Sequence, residues 1–369
     1  MVLQKSRIAI ISPQKDAYSE TFIKNQKKLD ADVFYYYGGL IPTFLEGYGR
    51  LNIQFSFFYK IFIKLGIFKK NIKNLALAQS LKKNRIDVLL ANYGPTGENL
   101  VTVSKMTKIP LVVHFHGYDA SMFSVLEKYS NYKNLFKHAS KVIVVSNYMA
   151  ETLEKLGCPK SKLEYIVYGP YNDFLTIEPT YSSKNFIGIG RFVDKKAPYY
   201  SILAFSKIAE LYPDSKFILA GDGFLLSSCK NLVTYLGLND RVLFPGIISQ
   251  KEFQEFLQNS LALVQHSIKA ENGDMEGTPV AILEASAAGI PVISTYHAGI
   301  PDVVIDKKTG LLGEEHDVQK MADAMKVLLE DQNLAKTLGQ AGKRHIKNNY
   351  TLTNYLEGLL QALQSSHNV

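Results

Sequence analysis

"DMEGTPVAILEASAAGIP", residues 274–291, reads as a polar turn opening an alanine-rich helix. Pro279 suits the first helical position, where a missing N–H costs nothing, and Thr278 then stands where an N-cap belongs. The free N–H groups of such a helix start attract phosphate. Two carboxylates bracket it, Glu276 in the turn and Glu284 a turn and a half into the helix. A helix acid can simply face water, but Ala281, Leu283, Ala285 and Ala288 around Glu284 are types that go inside. Apolar, β-rich runs flank the stretch, "LALVQHS" (261–267) before it and "PVISTY" (291–296) after it.

The same alternation runs from end to end. Further strands are expected at 7–12, 31–37, 86–91, 110–116, 141–146 and 163–168, then at 185–190, 216–221 and 241–246. Helical patterns at 97–108, 197–211, 250–259 and 317–330 lie between them. Strand–helix alternation argues for an α/β chain with parallel sheets covered by helices. A chain of 369 residues exceeds what one core serves, so two Rossmann-like domains are expected. The polar stretch "DFLTIEPTYSSK" (173–184) breaks the pattern between them. The domains are therefore expected at 1–178 and 179–350, with a terminal helix at about 351–369 packing back on the first.

Composition narrows the function. No run approaches the roughly 18 apolar residues of a membrane span. "MVLQKSRIAIIS" is too short in its apolar part for a signal peptide and reads as a first strand. Cys158 and Cys229 alone imply no disulfide framework, and the chain reads as cytoplasmic. The net charge of +8 is uneven: residues 1–180 hold 24 Lys+Arg against 14 Asp+Glu, and 181–369 hold 18 against 20. A basic first half suits an anionic membrane surface or nucleic acid. "FSFFYKIFIKLGIFKK" (55–70) interleaves aromatics with lysines near helical spacing. It reads equally as a helix lying on a membrane or as one packed on the sheet. No RNA-binding motif accompanies it, so no nucleic-acid partner is expected. A dinucleotide-binding dehydrogenase needs G-x-G-x-x-G after the first strand, and "PQKDAYSETF" contains no glycine. No P-loop occurs.

Candidate chemistry gathers at strand ends. "GIGRFVDKKAP" (188–198) brings Arg191 and Lys196 to the end of a strand, where a bidentate guanidinium and a point charge could clamp a diphosphate. "LAGDGF" (219–224) ends another strand in a turn with Gly221 and Gly223, and "RVLFPG" is followed by Ile247. Ligands of open α/β sheets bind outside the carboxyl ends of the strands. Asp30 and Asp32 form a D-x-D, read as solvated turn residues, and no metal site is expected.

These motifs, in this order, resemble the retaining glycosyltransferases of family 4. Residues 185–310 carry most of the likeness, and "YSETFI" (18–23) and "VHFHGYDAS" (113–121) are similar to the colanic-acid and surface-polysaccharide branch. The resemblance implies the GT-B fold, two Rossmann-like domains facing a central cleft. It makes Glu276 and Glu284 the two acids of the family's E-x7-E motif, with Glu276 against the donor sugar and Glu284 on the ribose. Arg191 and Lys196 would hold the diphosphate, and Gly221, Gly223, Ile247, Gly277, Thr278, Pro279 and Val280 would line the nucleotide. His116 would approach the donor sugar as a catalytic-site residue, and Asp119 would orient its loop or bind acceptor hydroxyls. The donor would be a UDP- or GDP-sugar, used without cofactor or metal. The acceptor would be a saccharide or a lipid-linked saccharide, the latter met at the inner face of the cell membrane. A nucleotide-sugar hydrolysing epimerase and a non-catalytic saccharide-binding relative are the alternatives on the same fold. The chain departs from the family in lacking a glycine pair after the first strand, and in having "YGPYND" (168–173) where Asn-Gly-x-Asp is usual.

Overall fold

A computed structural model of the chain describes residues 5–15, 20–52 and 72–366; the 55–70 segment lies outside them. Fourteen strands occur among the described residues: β1 Arg7–Ile11, β2 Asp32–Tyr37, β3 Phe44–Leu45, β4 Gly49–Arg50, β5 Val88–Asn92, β6 Leu111–His114, β7 Lys141–Val144, β8 Leu163–Tyr165, β9 Asn185–Ile189, β10 Lys216–Ala220, β11 Val242–Gly246, β12 Ala262–Val264, β13 Val292–Thr295 and β14 Gly310–Gly313. All eleven strands expected from the sequence are among them, each shorter than expected by a residue or more, and β5 runs one residue past its expected end. The added ones are the hairpin β3–β4 and the short strand β14.

The chain separates into two compact units. One comprises Met1–Val145, Met149–Ile166 and Leu356–Val369; the other comprises Ser146–Tyr148 and Val167–Tyr355. The expected boundary at 178 falls inside the second unit. The reason is visible in the packing of 167–176. Phe174 is fully buried with its ring 5.9 Å from Phe253. Asp173 accepts a hydrogen bond from Gln250 at 2.7 Å. The helix Leu352–Ser365 joins the first unit from Leu356 onward.

In the first unit, eight strands run in the order β4-β3-β2-β1-β5-β6-β7-β8. The six from β2 to β8 are parallel, and β3 and β4 extend the edge antiparallel. Their residues are apolar almost throughout, as strands covered on both faces require. In the second unit the order is β11-β10-β9-β12-β13-β14, all parallel. Numbered within its own sheet this is 3-2-1-4-5-6, the doubly wound arrangement whose ligand crevice opens where the winding reverses, between β9 and β12. Phe186, Phe205 and Phe217 are fully buried beside this sheet, with ring centroids 5.7 to 6.4 Å apart. Each contributes about 2–3 kcal/mol by leaving water.

Three strand ends in this unit are zipped together. Gly190 N–H donates to Ala220 O at 3.0 Å, Phe192 N–H to Asp222 O at 2.9 Å, and Gly221 N–H to Gly246 O at 2.7 Å. A Cβ on Gly221 would overlap the Gly190 carbonyl, and its φ of +132° disfavours any side chain. Gly221→Ala should therefore cost about 2–4 kcal/mol, from overlap plus strain. Gly237→Ala, also at positive φ but with open space around it, should cost about 1 kcal/mol. Thermal melts of both variants check this; equal losses would mean the close approach at Gly221 is easily relieved.

Candidate active site

The loop after β9 folds a single 3-10 turn, Asp194–Lys196, before the helix Pro198–Ala209. Between them Ala197 is buried in a left-handed conformation (φ 33°, ψ 53°), which costs an alanine about 1–2 kcal/mol. This bend sends the two neighbouring lysines apart. Lys196 Nζ lies 3.0 Å from Glu276 Oε1 and donates to Gln265 Oε1 at 3.3 Å. Lys195 turns inward, its Nζ on Asp274 Oδ1 at 2.9 Å and on the Met275 carbonyl at 3.0 Å. Arg191 is exposed, yet it lines one pocket with Gly190, Phe192, Lys196 and Gln265. The topology dictates this meeting, because β9 carries residues 188–198 and β12 carries Gln265 to the same reversal point.

Glu276 and Glu284 sit in opposite electrostatic settings. Burial pushes the Glu276 carboxyl up, but the charges of Lys196 and Lys195 outweigh it and hold the group down at about 2. Glu284 keeps part of its surface accessible, yet dense surroundings desolvate it, and Asp173 adds a like charge; together they push it up to about 8. At neutral pH, Glu276 is a carboxylate and Glu284 an acid. The helix between them runs Val280–Ala288 and ends at Gly289 in the left-handed region. Its start differs from the expectation. Pro279 occupies the N-cap position with extended ψ, Val280 is the first helical residue, and no side chain caps the helix. A proline side chain has no atom that can accept from the first-turn N–H groups, and Thr278 is buried beside Gly299. Gly277 O accepts from Gly299 N–H at 3.0 Å.

Other expected contact residues have structural duties of their own. Gly221 and Gly223 allow the backbone to approach Gly190 and Phe192. Ile247 follows β11 and is 56% exposed. Among residues the sequence reading passed over, His297 stands out. It is buried, and the Glu276 N–H donates to its Nε2 at 3.1 Å. A backbone amide can only donate, so the ring proton lies on Nδ1, which donates to Glu315 Oε1 at 2.6 Å. Only its place three residues before the Ile300–Pro301 helix start signalled it.

In the first unit, the His114 and His116 rings lie 4.3 Å apart, tilted by 40°, as alternate residues on one face. His114 is fully buried, while His116 keeps some exposure. Burial, and then His114, hold the His116 ring well below its usual value, so it is neutral at pH 7. Its Nε2 meets Asn92 Oδ1 at 3.0 Å, and Asn92 exchanges amide hydrogen bonds with Gln26 at 2.8 and 2.9 Å. Asp119 is fully buried, accepting from the N–H groups of Gly94, His116 and Gly117 at 2.9, 3.0 and 2.9 Å. That resolves its two expected roles in favour of orienting the loop. Asp30 pairs with Lys5 and Asp32 with Arg7, both at the surface.

Residues 179–345 match the family Glycosyl transferases group 1, and residues 22–169 match Glycosyltransferase Family 4. A putative colanic acid biosynthesis glycosyltransferase, WcaL of Escherichia coli K12, is 30% identical over 292 residues, which cover 76% of this chain and 71% of that protein. This chain belongs to the group 1 glycosyltransferases. The amylovoran biosynthesis glycosyltransferase AmsK of Erwinia amylovora is 27% identical over 252 residues, 67% of this chain and 62% of that protein. The fold is GT-B. Anabaena Alr3699/HepE, solved with UDP and glucose, superposes with a TM-score of 0.76 at 17% identity, covering 98% of this chain and all of that one. The lipopolysaccharide outer core galactosyltransferase WaaB gives 0.69 at 16% identity, covering 97% and 99%.

The raised Glu284 pKa has a consequence for stability. Its folded value lies above the unfolded one of about 4.5, so the stability it contributes is present below that pH and lost as pH rises toward 8. Glu284→Gln should remove this loss. Relative to the wild type it should gain up to a few kcal/mol between pH 4.5 and 8 and gain no more above that. Denaturation midpoints across that window check it; parallel pH profiles for the two proteins would show that Glu284 titrates normally.

Proposed function

We propose that this glycosyltransferase moves a sugar, with retention, from a UDP- or GDP-sugar to a growing lipid-linked saccharide of a surface polysaccharide. The observation that carries the reading is the Lys196–Glu276 pair at the point where the second sheet reverses its winding. Arg191 and Lys196 take the donor diphosphate, helped by the N–H groups at the uncapped start of the helix Val280–Ala288. Gly221, Gly223, Gly277, Thr278, Pro279 and Val280 give the nucleotide close backbone approach, and Ile247 offers an apolar surface beside it. Glu284 takes the ribose hydroxyls.

In this reading the cations hold the diphosphate and stabilise the charge that grows on it as the bond to the sugar breaks. Glu276, kept ionised by Lys196 and Lys195, lies against the sugar, where a fixed negative charge favours developing positive charge at the reacting carbon. The departing phosphate helps take the acceptor's proton, so the reaction needs neither a metal nor a cofactor. Neutral His116 serves as a hydrogen-bonding group toward the donor sugar. The acceptor's source is read from the relatives, whose names place them in colanic acid and amylovoran biosynthesis. The basic 1–180 stretch favours an anionic membrane, at whose inner face a lipid-linked acceptor would be met.

Release of nucleoside diphosphate from UDP-glucose, UDP-galactose, UDP-N-acetylglucosamine and GDP-mannose, with a lipid-linked saccharide extract as acceptor, tests the reading. Arg191→Ala and Lys196→Ala should each weaken nucleoside diphosphate binding by about 1–3 kcal/mol. Glu284→Ala should mainly lower affinity, Glu276→Ala mainly turnover, and excess EDTA should leave the rate unchanged. Unaltered affinity in both cation variants, or a rate lost to EDTA and restored by magnesium, would overturn it.

A further inference from the structure

The peptide group joining Met275 to Glu276 is held on both of its polar atoms. Its carbonyl oxygen accepts from Lys195 Nζ at 3.0 Å, and its N–H donates to His297 Nε2 at 3.1 Å. Both side chains are buried, Lys195 at 5% exposure and His297 at 1%. Each is anchored in turn. Lys195 Nζ also meets Asp274 Oδ1 at 2.9 Å, and its own carbonyl accepts from Ile268 N–H at 2.9 Å. His297 Nδ1 donates to Glu315, whose second oxygen accepts from Lys269 N–H at 2.8 Å. The segment from 268 to 276 is thus tied down at its start and at its end.

Surface loops ordinarily satisfy such groups with water, and burying a lysine is costly unless its charge is fully paired. Spending a buried lysine and a buried histidine on one peptide bond therefore asks for a reason beyond loop order. That bond sets the direction of the Glu276 Cα–Cβ vector. A tilt of about 20° in its plane would displace the carboxylate by roughly 1 Å, a misplacement that can cost on the order of a hundredfold in rate.

We propose that Lys195 and His297 are positioning residues which clamp the Met275–Glu276 peptide and so aim the Glu276 carboxylate at Lys196 and the donor sugar. The inference rests on the reading of Glu276 given above. Lys195 does this without reaching the substrate, in contrast to its neighbour Lys196. His297 contributes only in the tautomer that Glu315 imposes, with Nε2 free to accept.

Steady-state kinetics with the donor found by the screen above, and binding of UDP and GDP, test the clamp. Lys195→Met and His297→Leu should each lower kcat about tenfold or more, with donor KM and nucleoside diphosphate affinity within about threefold of wild type. His297→Gln, whose amide oxygen can reach the place of Nε2, should recover most of the loss. In a Glu276→Ala background, Lys195→Met or His297→Leu should lower kcat no further, because the group they aim is gone. Losses that persist in that background, or that fall equally on affinity and kcat, would assign both residues a general structural role and overturn the proposal. Wild-type turnover in Glu276→Ala alone would overturn the underlying reading of Glu276, and needs no second variant to recognise. Should Lys195→Met not fold, the His297→Leu and His297→Gln pair carries the same comparison.

Discussion

The 3.0 Å contact between Lys196 and Glu276 organises the second unit's chemistry. It joins a residue delivered by the end of β9 to one on the loop that leaves β12, and those strands are neighbours only because the sheet winds outward in both directions from β9. The pair lowers Glu276 to about 2 while Glu284, eight residues on, rises to about 8. One turn and one short helix thus carry, eight residues apart, a carboxylate and a carboxylic acid at neutral pH. Environments that pull two similar groups apart in this way are what divides roles between them in acid–base and charge-stabilising sites.

The first unit uses a different device. Its strand ends are organised by hydrogen bonds to backbone N–H groups and between side-chain amides and imidazole. Asp119 spends both carboxylate oxygens on three backbone N–H groups, including Gly94 at the start of the helix Gly94–Thr107. That fixes the His116–Gly117 turn. Asn92 and Gln26 lock together and give His116 Nε2 a partner. Burial keeps both histidines unprotonated at neutral pH.

Much of this was legible in the residues. Period and punctuation located eleven strands, because buried parallel strands read as runs of Val, Ile and Leu bounded by turn residues. The hairpin β3–β4 escaped, since two-residue strands leave no period, and β14, "GLLG", has no β-branched residue. The boundary escaped because Phe174 looks like any loop aromatic until it is seen beside Phe253. Arg191, Lys196, Glu276 and Glu284 were singled out by strand-end position and by resemblance to a family motif, and of these the structure brings Lys196 and Glu276 into contact. Lys195 and His297 were not singled out. A lysine next to a candidate phosphate ligand reads as a spare charge, and its inward turn depends on the strained backbone of Ala197. His297 acts through a backbone amide, which no side-chain pattern records. The start of the helix Val280–Ala288 was misjudged by one position, because proline suits the first turn and the cap alike.

The central claim is that the second unit's strand ends form the nucleotide site around the Lys196–Glu276 pair. Hydrogen–deuterium exchange of the protein with and without UDP or GDP addresses it directly. The account predicts added protection in 190–197, 221–224 and 277–284, and none of comparable size in 92–97 or 114–120. Protection centred on 92–97 and 114–120, with 190–197 and 277–284 unchanged, would contradict it.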